Sequence, residues 1–290
     1  MQKNISLVLG SGGARGLAHI GVIHWLEEHD FHIQSVSGCS MGALIGGIYA
    51  AGMLDEYESW VRAIKKTDIV KLLDLSWGKS GLVKGDKIIN TLTELVGDVV
   101  IEDLPVAFTA VATDILHGKE VWINSGSLFD AIRASISLPL FFTPFRFNGI
   151  DLIDGGVLNP VPIAPTFGDT TDLTIAVSLG GKAINKTEKI VEKDLSNENT
   201  GPLTKQITAF VENLKSPAER NIKKDWGAYE IANQAFEAMQ GTIARQKLAA
   251  YPAEHLIEIA RNACRTLEFD RASEMIDLGY NRAQECLGNL

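Results

Sequence analysis

The stretch LVLGSGGARGLAH, residues 7–19, decides the fold, because it places four glycines within seven positions between two apolar segments. Glycine-rich loops between a strand and a helix present backbone N–H groups to an anion. A dinucleotide fingerprint would need its third glycine where Arg15 stands, and a P-loop would need a Gly-Lys-Ser/Thr ending that is absent. We therefore expect the loop to hold an anion other than a nucleotide phosphate, such as one that exists only in a transition state.

The segments around this loop form a strand–loop–helix pattern that the chain repeats at once. Residues 5–9 are an apolar run, and apolar residues then recur at helical spacing over 17–26. Residues 33–37 and 43–51 give the same strand and helix signals on either side of a turn at 38–42. Two such units in tandem imply parallel neighbouring strands, so we predict an α/β fold with a largely parallel central sheet.

The chain continues as strands and helices to residue 180, where its composition changes. Strands are predicted at 106–113, 120–123 and 173–179, and a hairpin at 146–153 turned by Asn148-Gly149. Helices are predicted at 55–66, 86–96 and 127–137, the last capped by Ser127, with a polar connection at 76–85 between the first two. We interpret 1–180 as the core, 181–205 as a polar, mobile loop, and 206–290 as a mostly helical extension packed on the same domain. The helices of this extension are predicted at 206–214, 228–251 and 271–287.

Composition argues against several kinds of partner and location. A chain of 290 residues with 46% hydrophobic content can bury a large core. Its formal charge of −9 makes nucleic acid a poor partner and provides no attraction to anionic membranes. Three cysteines without paired spacing, and no secretory apolar segment, lead us to expect a cytoplasmic location. The uncharged segment 31–54 is long enough to cross a bilayer, but its glycines divide it into strand, turn and helix.

A serine in the setting of a nucleophile follows the second predicted strand. Residues 38–42 match G-x-S-x-G, in which the flanking glycines let the chain turn sharply and expose the central Ser40. The match lies between a predicted strand and a predicted helix, as the motif requires. Because parallel strands bring both loops to one sheet edge, the amides of Gly12 and Gly13 would lie near Ser40 and could stabilise an oxyanion.

The base that would activate Ser40 has two candidates. Four of the six histidines precede Ser40 on or near the first helix, and we expect them to face solvent or to end that helix. Only His255 follows Asp154, and the order Ser40, Asp154, His255 would match the triad order of α/β-hydrolases. Alternatively, Asp154 is itself the base, because it ends an apolar strand and Gly155 and Gly156 free the backbone to direct its carboxylate into a cleft.

Three motifs in this order resemble those of the patatin-like phospholipases: GSGGARG at 10–16, GCSMG at 38–42 and DGG at 154–156. A fourth segment, RASISLPLFFTP at 133–144, is similar to the family's Ala-Ser/Thr-x-x-x-Pro segment. The resemblance covers about residues 5–180 and is strongest to the bacterial members related to neuropathy target esterase. It implies a three-layer α/β/α fold with a largely parallel sheet and additional C-terminal helices.

The resemblance also implies a chemistry. Ser40 would attack an ester carbonyl and Asp154 would accept its proton without a histidine, while the amides of Gly12 and Gly13, with that of Ser11, would form the oxyanion hole. The supporting positions are Gly10, Arg15, Gly16, Gly38, Gly42, Gly155 and Gly156. The substrates implied are phospholipids, lysophospholipids or neutral acyl esters, and no metal or cofactor is implied. Because an aspartate at its ordinary pKa is a weak base, we expect burial to raise the pKa of Asp154.

Several alternatives stay open at this point. Phe141, Phe142, Phe145 and Phe147 would either line an acyl channel or pack in the core. Arg15 would either contact a phospholipid phosphate or anchor the glycine loop. As an alternative to an enzyme, the protein would be a lipid-binding or regulatory protein that keeps the pocket without turnover. Any contact with membranes would be peripheral.

Overall fold

A computed structural model of the protein describes residues 2–72, 83–184 and 228–290. Its strands are β1 (Lys3–Leu9), β2 (Phe31–Cys39), β3 (Ala107–Asp114), β4 (Lys119–Ile123), β5 (Phe145–Phe147), β6 (Ile150–Asp154), β7 (Leu173–Gly181) and β8 (His255–Ala260). Its helices are α1 (Ala18–Glu28), α2 (Met41–Ala50), α3 (Leu54–Ala63), α4 (Lys66–Leu72), α5 (Asp86–Val96), α6 (Leu128–Ser135), α7 (Ala228–Ala250) and α8 (Ala272–Leu287).

Residues Met1–Lys182 and Phe236–Leu290 form one compact unit, and residues Ala183–Ala235 form another. All strands lie in the first unit, which also contains the greater part of α7. Of the second unit, the structure describes residues 183–184 and the beginning of α7. The candidate site is built from residues of the first unit.

The strands form one sheet whose central part is parallel. β1 pairs parallel with β2 on one side and with β7 on the other, and β3 and β8 extend the parallel arrangement outward. β4 and β6 run antiparallel to β3, and β5 runs antiparallel to β6. The order is β5-β6-β3-β2-β1-β7-β8, with β4 beside β3. The predicted α/β fold with a largely parallel sheet is confirmed.

The register at β3 brings two strand ends together. β2 and β4 pair with the same two residues of β3 and therefore occupy opposite edges of that strand. β4 and β6 both pair with its last three residues, so they too occupy opposite edges. β2 and β6 consequently share one edge and meet end to end, with Cys39 opposite Val111 and Asp154 opposite Ala112. Since Ser40 follows Cys39, this junction places Ser40 beside the end of β6.

Helices cover both faces of the sheet. Successive side chains of a strand point to opposite faces, and on β1 Leu7 and Leu9 belong to a large core cluster whereas Val8 belongs to a second, smaller cluster. Side chains of α1, α2, α6 and α8 contribute to the large cluster, and Ala244 of α7 contributes to the small one. This arrangement is the three-layer α/β/α architecture that the motifs implied.

Two local predictions hold in atomic detail. The turn between β5 and β6 consists of Asn148 and Gly149, whose positive φ values of 46° and 84° suit a two-residue hairpin turn. Ser127 caps α6, because its side chain accepts a hydrogen bond from the Asp130 N–H at 3.3 Å. Both elements depend on local residue types, which is why the sequence predicts them well.

Other segments differ from the sequence-based prediction. The predicted helix 55–66 corresponds to α3, which ends at Ala63, and a further helix, α4, follows where none was predicted. β8 was not predicted, because only Ile257 and Ile259 of its six residues are buried and such a short alternation gives a weak signal. Most of the predicted polar connection 76–85, most of the loop 181–205 and the helix 206–214 lie outside the described residues.

The uncharged segment 31–54 is not one continuous helix. It forms β2, the turn at Ser40 and α2, as its glycines predicted. Among the helices within 2–72, 83–184 and 228–290, none is long and apolar enough to cross a membrane.

Candidate active site

Ser40 occupies a strained turn between β2 and α2. Its φ of 55° and ψ of −122° lie outside the regions that non-glycine residues normally adopt, and such a conformation costs about 1–3 kcal/mol. A Cβ on Gly42 would lie 2.0 Å from the carbonyl oxygen of Leu9, so only glycine allows the turn to pack this closely on β1. The geometry is that of a nucleophile elbow, which presents the serine hydroxyl at the sheet edge.

The hydroxyl of Ser40 is hydrogen bonded to the carboxylate of Asp154. Ser40 Oγ donates to Asp154 Oδ2 at 2.5 Å, and the Asp154 side chain is completely buried. The second carboxylate oxygen, Oδ1, accepts the N–H of Gly156 at 2.7 Å, while the N–H of Asp154 donates to the Ser137 carbonyl. The end-to-end junction of β2 and β6 thus joins two residues that lie 114 positions apart in the chain.

Burial changes the basicity of Asp154. Removal of the carboxylate from water raises its pKa to about 6, while hydrogen bonds from Ser40, Gly156 and Cys39 favour the ionised form and limit the rise. A carboxylate with this pKa is ionised at neutral pH and accepts a proton more readily than an exposed aspartate. The expected rise in the pKa of Asp154 is confirmed.

The backbone of Ser40 is held by a serine to which the sequence analysis gave no role. Ser135, the second residue of the Ala-Ser-x-x-x-Pro segment, accepts the Ser40 N–H on its Oγ at 2.9 Å. The same hydroxyl donates to the carbonyl of Val111 at 2.6 Å. Ser135 therefore links the elbow to β3. The Ala-Ser-x-x-x-Pro segment in which it lies was the sequence feature that could have predicted this role.

Over residues 10–14, the glycine loop has two amides that are free for a ligand and three that are not. The N–H of Gly10 donates to the carbonyl of Val177 at 3.0 Å. The N–H of Ser11 donates to the carbonyl of Pro160 at 2.8 Å, and the N–H of Ala14 donates to a carbonyl after β8 at 2.8 Å. In the part of the chain that the structure describes, the N–H groups of Gly12 and Gly13 have no acceptor. Because the Ser11 amide is already used, we correct the predicted oxyanion hole by removing Ser11 from it.

A further amide without an acceptor among the described residues, that of Met41, directly follows Ser40. Met41 is the first residue of α2, and the first N–H groups of a helix have no partner within it. Met41, Gly13 and Ser40 all line the same cavity. The G-x-S-x-G motif carried this signal, because an amide at this position is a usual oxyanion donor in nucleophile elbows.

Ser40 lines an apolar cavity of about 110 Å³. Its walls come from α2, α3, α4, α5 and the segment after α6, and they include Leu44, Val61 and Leu92. Phe141 and Phe142 line it as well. Phe145 and Phe147 instead pack against the main core. Two of the four phenylalanines therefore line the cavity, and the other two belong to the core.

His255 is not placed to act on this pair. It begins β8, which lies three strands from β2 in the sheet order. With about 4.8 Å between neighbouring strands, the separation is about 14 Å. The described partners of the Asp154 carboxylate are Ser40, Gly156 and Cys39, and no histidine is among them. The triad that includes His255 is therefore wrong.

His19 differs from the expectation that the early histidines face solvent or end the first helix. It is fully buried near the start of α1, and its Nε2 donates to the carbonyl of Gly10 at 2.9 Å. Burial lowers the pKa of His19 to about 4, which keeps the ring neutral. The side chain therefore serves to hold the beginning of the glycine loop.

Cys39 lies beside the pair without being a second nucleophile. Its Sγ is 3.9 Å from Asp154 Oδ1, and the residue is fully buried. Burial and the neighbouring Asp154 carboxylate raise the pKa of the thiol well above its usual range. The thiol is therefore protonated, and it contributes a weak hydrogen bond to the carboxylate.

Taken together, the fold and the site define a class of protein: an α/β protein with a buried serine–aspartate pair, free loop amides and an apolar cavity lined by the serine. A family model described as patatin-like phospholipase matches residues 7–167. The chain belongs to the patatin-like phospholipase family.

Relatives support this assignment over a longer range than the motifs. An uncharacterized NTE family protein of Mycobacterium bovis is 38% identical over 98% of this chain and 91% of its own length. Lysophospholipase NTE1 of Yarrowia lipolytica is 34% identical over 61% of this chain and 13% of its own length. Among solved structures, VipD from Legionella pneumophila aligns with a TM-score of 0.48 and 16% identity, over 99% of this chain and 67% of VipD.

Proposed function

We propose that this protein is a serine acyl hydrolase that cleaves acyl esters of phospholipids, lysophospholipids or related lipids through a Ser40–Asp154 dyad. The observation that carries the proposal is the 2.5 Å hydrogen bond from Ser40 Oγ, in the wall of an apolar cavity, to the buried Asp154 carboxylate. Membership of the patatin-like phospholipase family supports a lipid ester as the substrate.

In the first step, Ser40 Oγ attacks the ester carbonyl and its proton moves to Asp154 Oδ2. The oxyanion that forms accepts hydrogen bonds from the free amides, for which Gly12, Gly13 and Met41 are the candidates. Asp154 then gives the proton to the departing alcohol, which leaves the acyl group esterified to Ser40. The apolar cavity holds the acyl chain.

In the second step, a water molecule completes the hydrolysis. Asp154 takes a proton from the water as it attacks the acyl carbonyl, and the same amides stabilise the second oxyanion. Collapse of this intermediate returns the proton to Ser40 and releases the fatty acid. The balance is one ester and one water consumed, and one alcohol and one acid produced.

A fluorophosphonate probe tests the proposal, because it reacts with activated serines. We expect intact-mass analysis to show one label on the wild-type protein and none on Ser40→Ala. The control is Ser127→Ala, which changes a helix-capping serine outside the site. A folded wild-type protein that binds a fatty acid, but neither reacts with the probe nor hydrolyses acyl esters, would instead be the lipid-binding protein of the alternative interpretation.

The pH dependence of hydrolysis should follow the ionisation of Asp154. The base must be ionised to accept the Ser40 proton, and burial raises its pKa to about 6. We expect kcat/KM to be constant above that pH and to fall about tenfold per pH unit below it. The measurement is a pH profile of kcat/KM with a soluble acyl ester, and an inflection near pH 4, the range of an exposed aspartate, would contradict it.

The cavity should determine which acyl chains are accepted. Val61 on α3 is buried and lines the cavity, so Val61→Phe would shorten the space available to a long chain. We expect kcat/KM for a twelve-carbon acyl ester to fall at least about tenfold, with less than about twofold change for a four-carbon ester. Val100→Phe, at an exposed position outside the cavity, is the matched control. Equal losses for both esters would place the acyl chain elsewhere.

A further inference from the structure

The helix α7 contacts the glycine loop, although no motif includes it. Glu237, Gln240 and Ala244 are spaced by three and four residues, so they lie on one face of the helix. Ala244 is buried in the smaller core cluster, which fixes this face against the sheet. Gln240 Nε2 donates to Ser11 Oγ at 3.3 Å, one residue before the proposed oxyanion amides.

Glu237 binds the only arginine of the glycine loop. Arg15 Nη2 donates to Glu237 Oε1 at 3.0 Å, and the Thr266 hydroxyl donates to the same oxygen at 2.9 Å. The Arg15 side chain is 6% exposed and that of Glu237 is 25% exposed, so the pair is largely shielded from water. A charge-assisted hydrogen bond that is shielded from water holds its two side chains more firmly than one at an open surface. Arg15 anchors the loop, which resolves the choice left open by the sequence.

Arg15 in turn determines the orientation of one peptide group. Its Nε donates to the carbonyl oxygen of Gly12 at 3.1 Å. The C=O of Gly12 and the N–H of Gly13 belong to the same planar trans peptide, in which they point in opposite directions. Fixing the Gly12 oxygen therefore fixes the direction of the Gly13 N–H. Gly13 lines the cavity together with Ser40.

The peptide group on the other side of Gly13 is also fixed. The N–H of Ala14 donates to the carbonyl of Thr266 at 2.8 Å, and Thr266 is the residue whose hydroxyl binds Glu237. Glu237 thus contacts both of the groups that hold the two peptides around Gly13. Glycine at this position has little intrinsic preference to keep one orientation, so the external contacts supply it.

We propose that Glu237 is a positioning residue for the oxyanion hole: by holding the Arg15 guanidinium and the Thr266 hydroxyl, it keeps the Gly13 N–H directed at the oxyanion. The inference rests on the proposed function. It assigns to α7 a part in the reaction, with no contact between Glu237 and the substrate.

The expected consequence is confined to the transition state. An amide that stabilises the oxyanion interacts more strongly with the tetrahedral intermediate than with the ester, so its misalignment lowers kcat. The acyl chain binds to cavity walls that do not include Glu237, so KM is unchanged. A purely structural defect would instead lower the thermal stability and change KM as well.

The experiment uses the full-length protein with Glu237→Gln, Arg15→Met, the double variant, and Glu285→Gln as control. Glu285 is an exposed acid on α8 that pairs with Arg282, so the control removes the same charge and a local ion pair away from the site. The readouts are kcat and KM for a soluble acyl ester, the rate of fluorophosphonate labelling and the thermal unfolding midpoint. If Arg15→Met does not fold, Arg15→Lys replaces it, since lysine retains the charge but has one donor nitrogen in place of the guanidinium's three.

We expect Glu237→Gln to lower kcat and the labelling rate about tenfold, with KM and the control changed less than about twofold. We expect the double variant to lose less than the two single losses combined, because Glu237 acts in part through Arg15. Unchanged kcat in Glu237→Gln, a parallel loss of thermal stability that accounts for the effect, or full additivity in the double variant would each overturn the proposal. Failure of the wild-type protein to show Ser40-dependent labelling would overturn the proposed function itself. That outcome is seen in the wild-type measurement alone, so it is distinguished from failure of the proposal for Glu237.

Discussion

Replacement of Asp154 with Asn is expected to lower kcat/KM for acyl esters about 10⁴-fold. The amide has the shape of the carboxylate and can keep hydrogen bonds to Ser40 and Gly156, but it cannot accept the hydroxyl proton. Among the described residues, the Asp154 carboxylate is the only base bonded to Ser40 Oγ. The loss therefore falls on proton transfer, and the binding of a fatty acid to the cavity should be preserved.

This prediction is checked by steady-state kinetics with three companion variants. Ser40→Ala should lose at least as much activity, and the double variant should lose no more than Ser40→Ala, because the two residues act as one unit. Asp151→Asn is the matched control, since Asp151 lies on the same strand β6 and forms a partly exposed ion pair with Arg146. A decrease of less than about tenfold in Asp154→Asn would show that the base is another group.

The same substitution of Asp154 is expected to stabilise the fold, by about 3 kcal/mol in the free energy of unfolding at pH 8. Burial raises the pKa of Asp154 from 3.8 to about 6 in the folded protein. The folded state therefore binds this proton more tightly than the unfolded state. The stabilisation that the protonated Asp154 side chain contributes to the wild type is fully present below pH 4. It is lost as the pH rises to about 6 and does not return above that pH.

Asparagine is neutral at every pH, so it avoids this loss. The difference in unfolding free energy between Asp154→Asn and the wild type should be largest above pH 6 and should vanish below pH 4. Denaturant unfolding of both proteins at pH 8 and at pH 4 measures it, with Asp151→Asn as a surface control that is expected to change by at most about 1 kcal/mol. Equal stability of the Asp154 variant and the wild type at pH 8 would mean that the carboxylate is not destabilised by burial.

Together, these two results would show that the residues of the site lower the stability of the folded protein. Ser40 has an unfavourable backbone conformation, and Asp154 is a buried carboxylate whose nearest partners are a hydroxyl, a backbone amide and a thiol. Neither feature helps the protein to fold, and both increase the reactivity of the serine. The packing of the sheet and its helices must compensate for them.

The sequence predicted the parts of the site that depend on local residue patterns. The G-x-S-x-G motif predicts a turn between strand and helix, because its glycines are required where the turn packs on β1, as Gly42 illustrates. The raised pKa of Asp154 was also predictable, since a carboxylate that ends an apolar strand must lose water. The motif order was sufficient to indicate the family.

The sequence did not predict features that arise from hydrogen bonds between distant segments. That Ser11 is already bonded to Pro160 follows only from the position of the segment after β6. The burial of His19, which donates to the Gly10 carbonyl directly after β1, has no local signal, because the histidine itself is polar and lies in an otherwise ordinary helix pattern. β8 was missed because an edge strand buries few residues.

By itself, the sequence predicted the alternation of strands and helices, the candidate nucleophile and the two candidates for its base. These depend on periodicity and on short motifs, in which neighbouring residues constrain one another. Only the tertiary structure shows that Asp154, and not His255, lies beside Ser40, because this depends on the sheet order, which places β6 against the end of β2 and β8 three strands away. Only the tertiary structure also brought Glu237 to Arg15, across 222 positions of the chain. Contacts of this kind have no local signal, because they form when separately specified elements pack together.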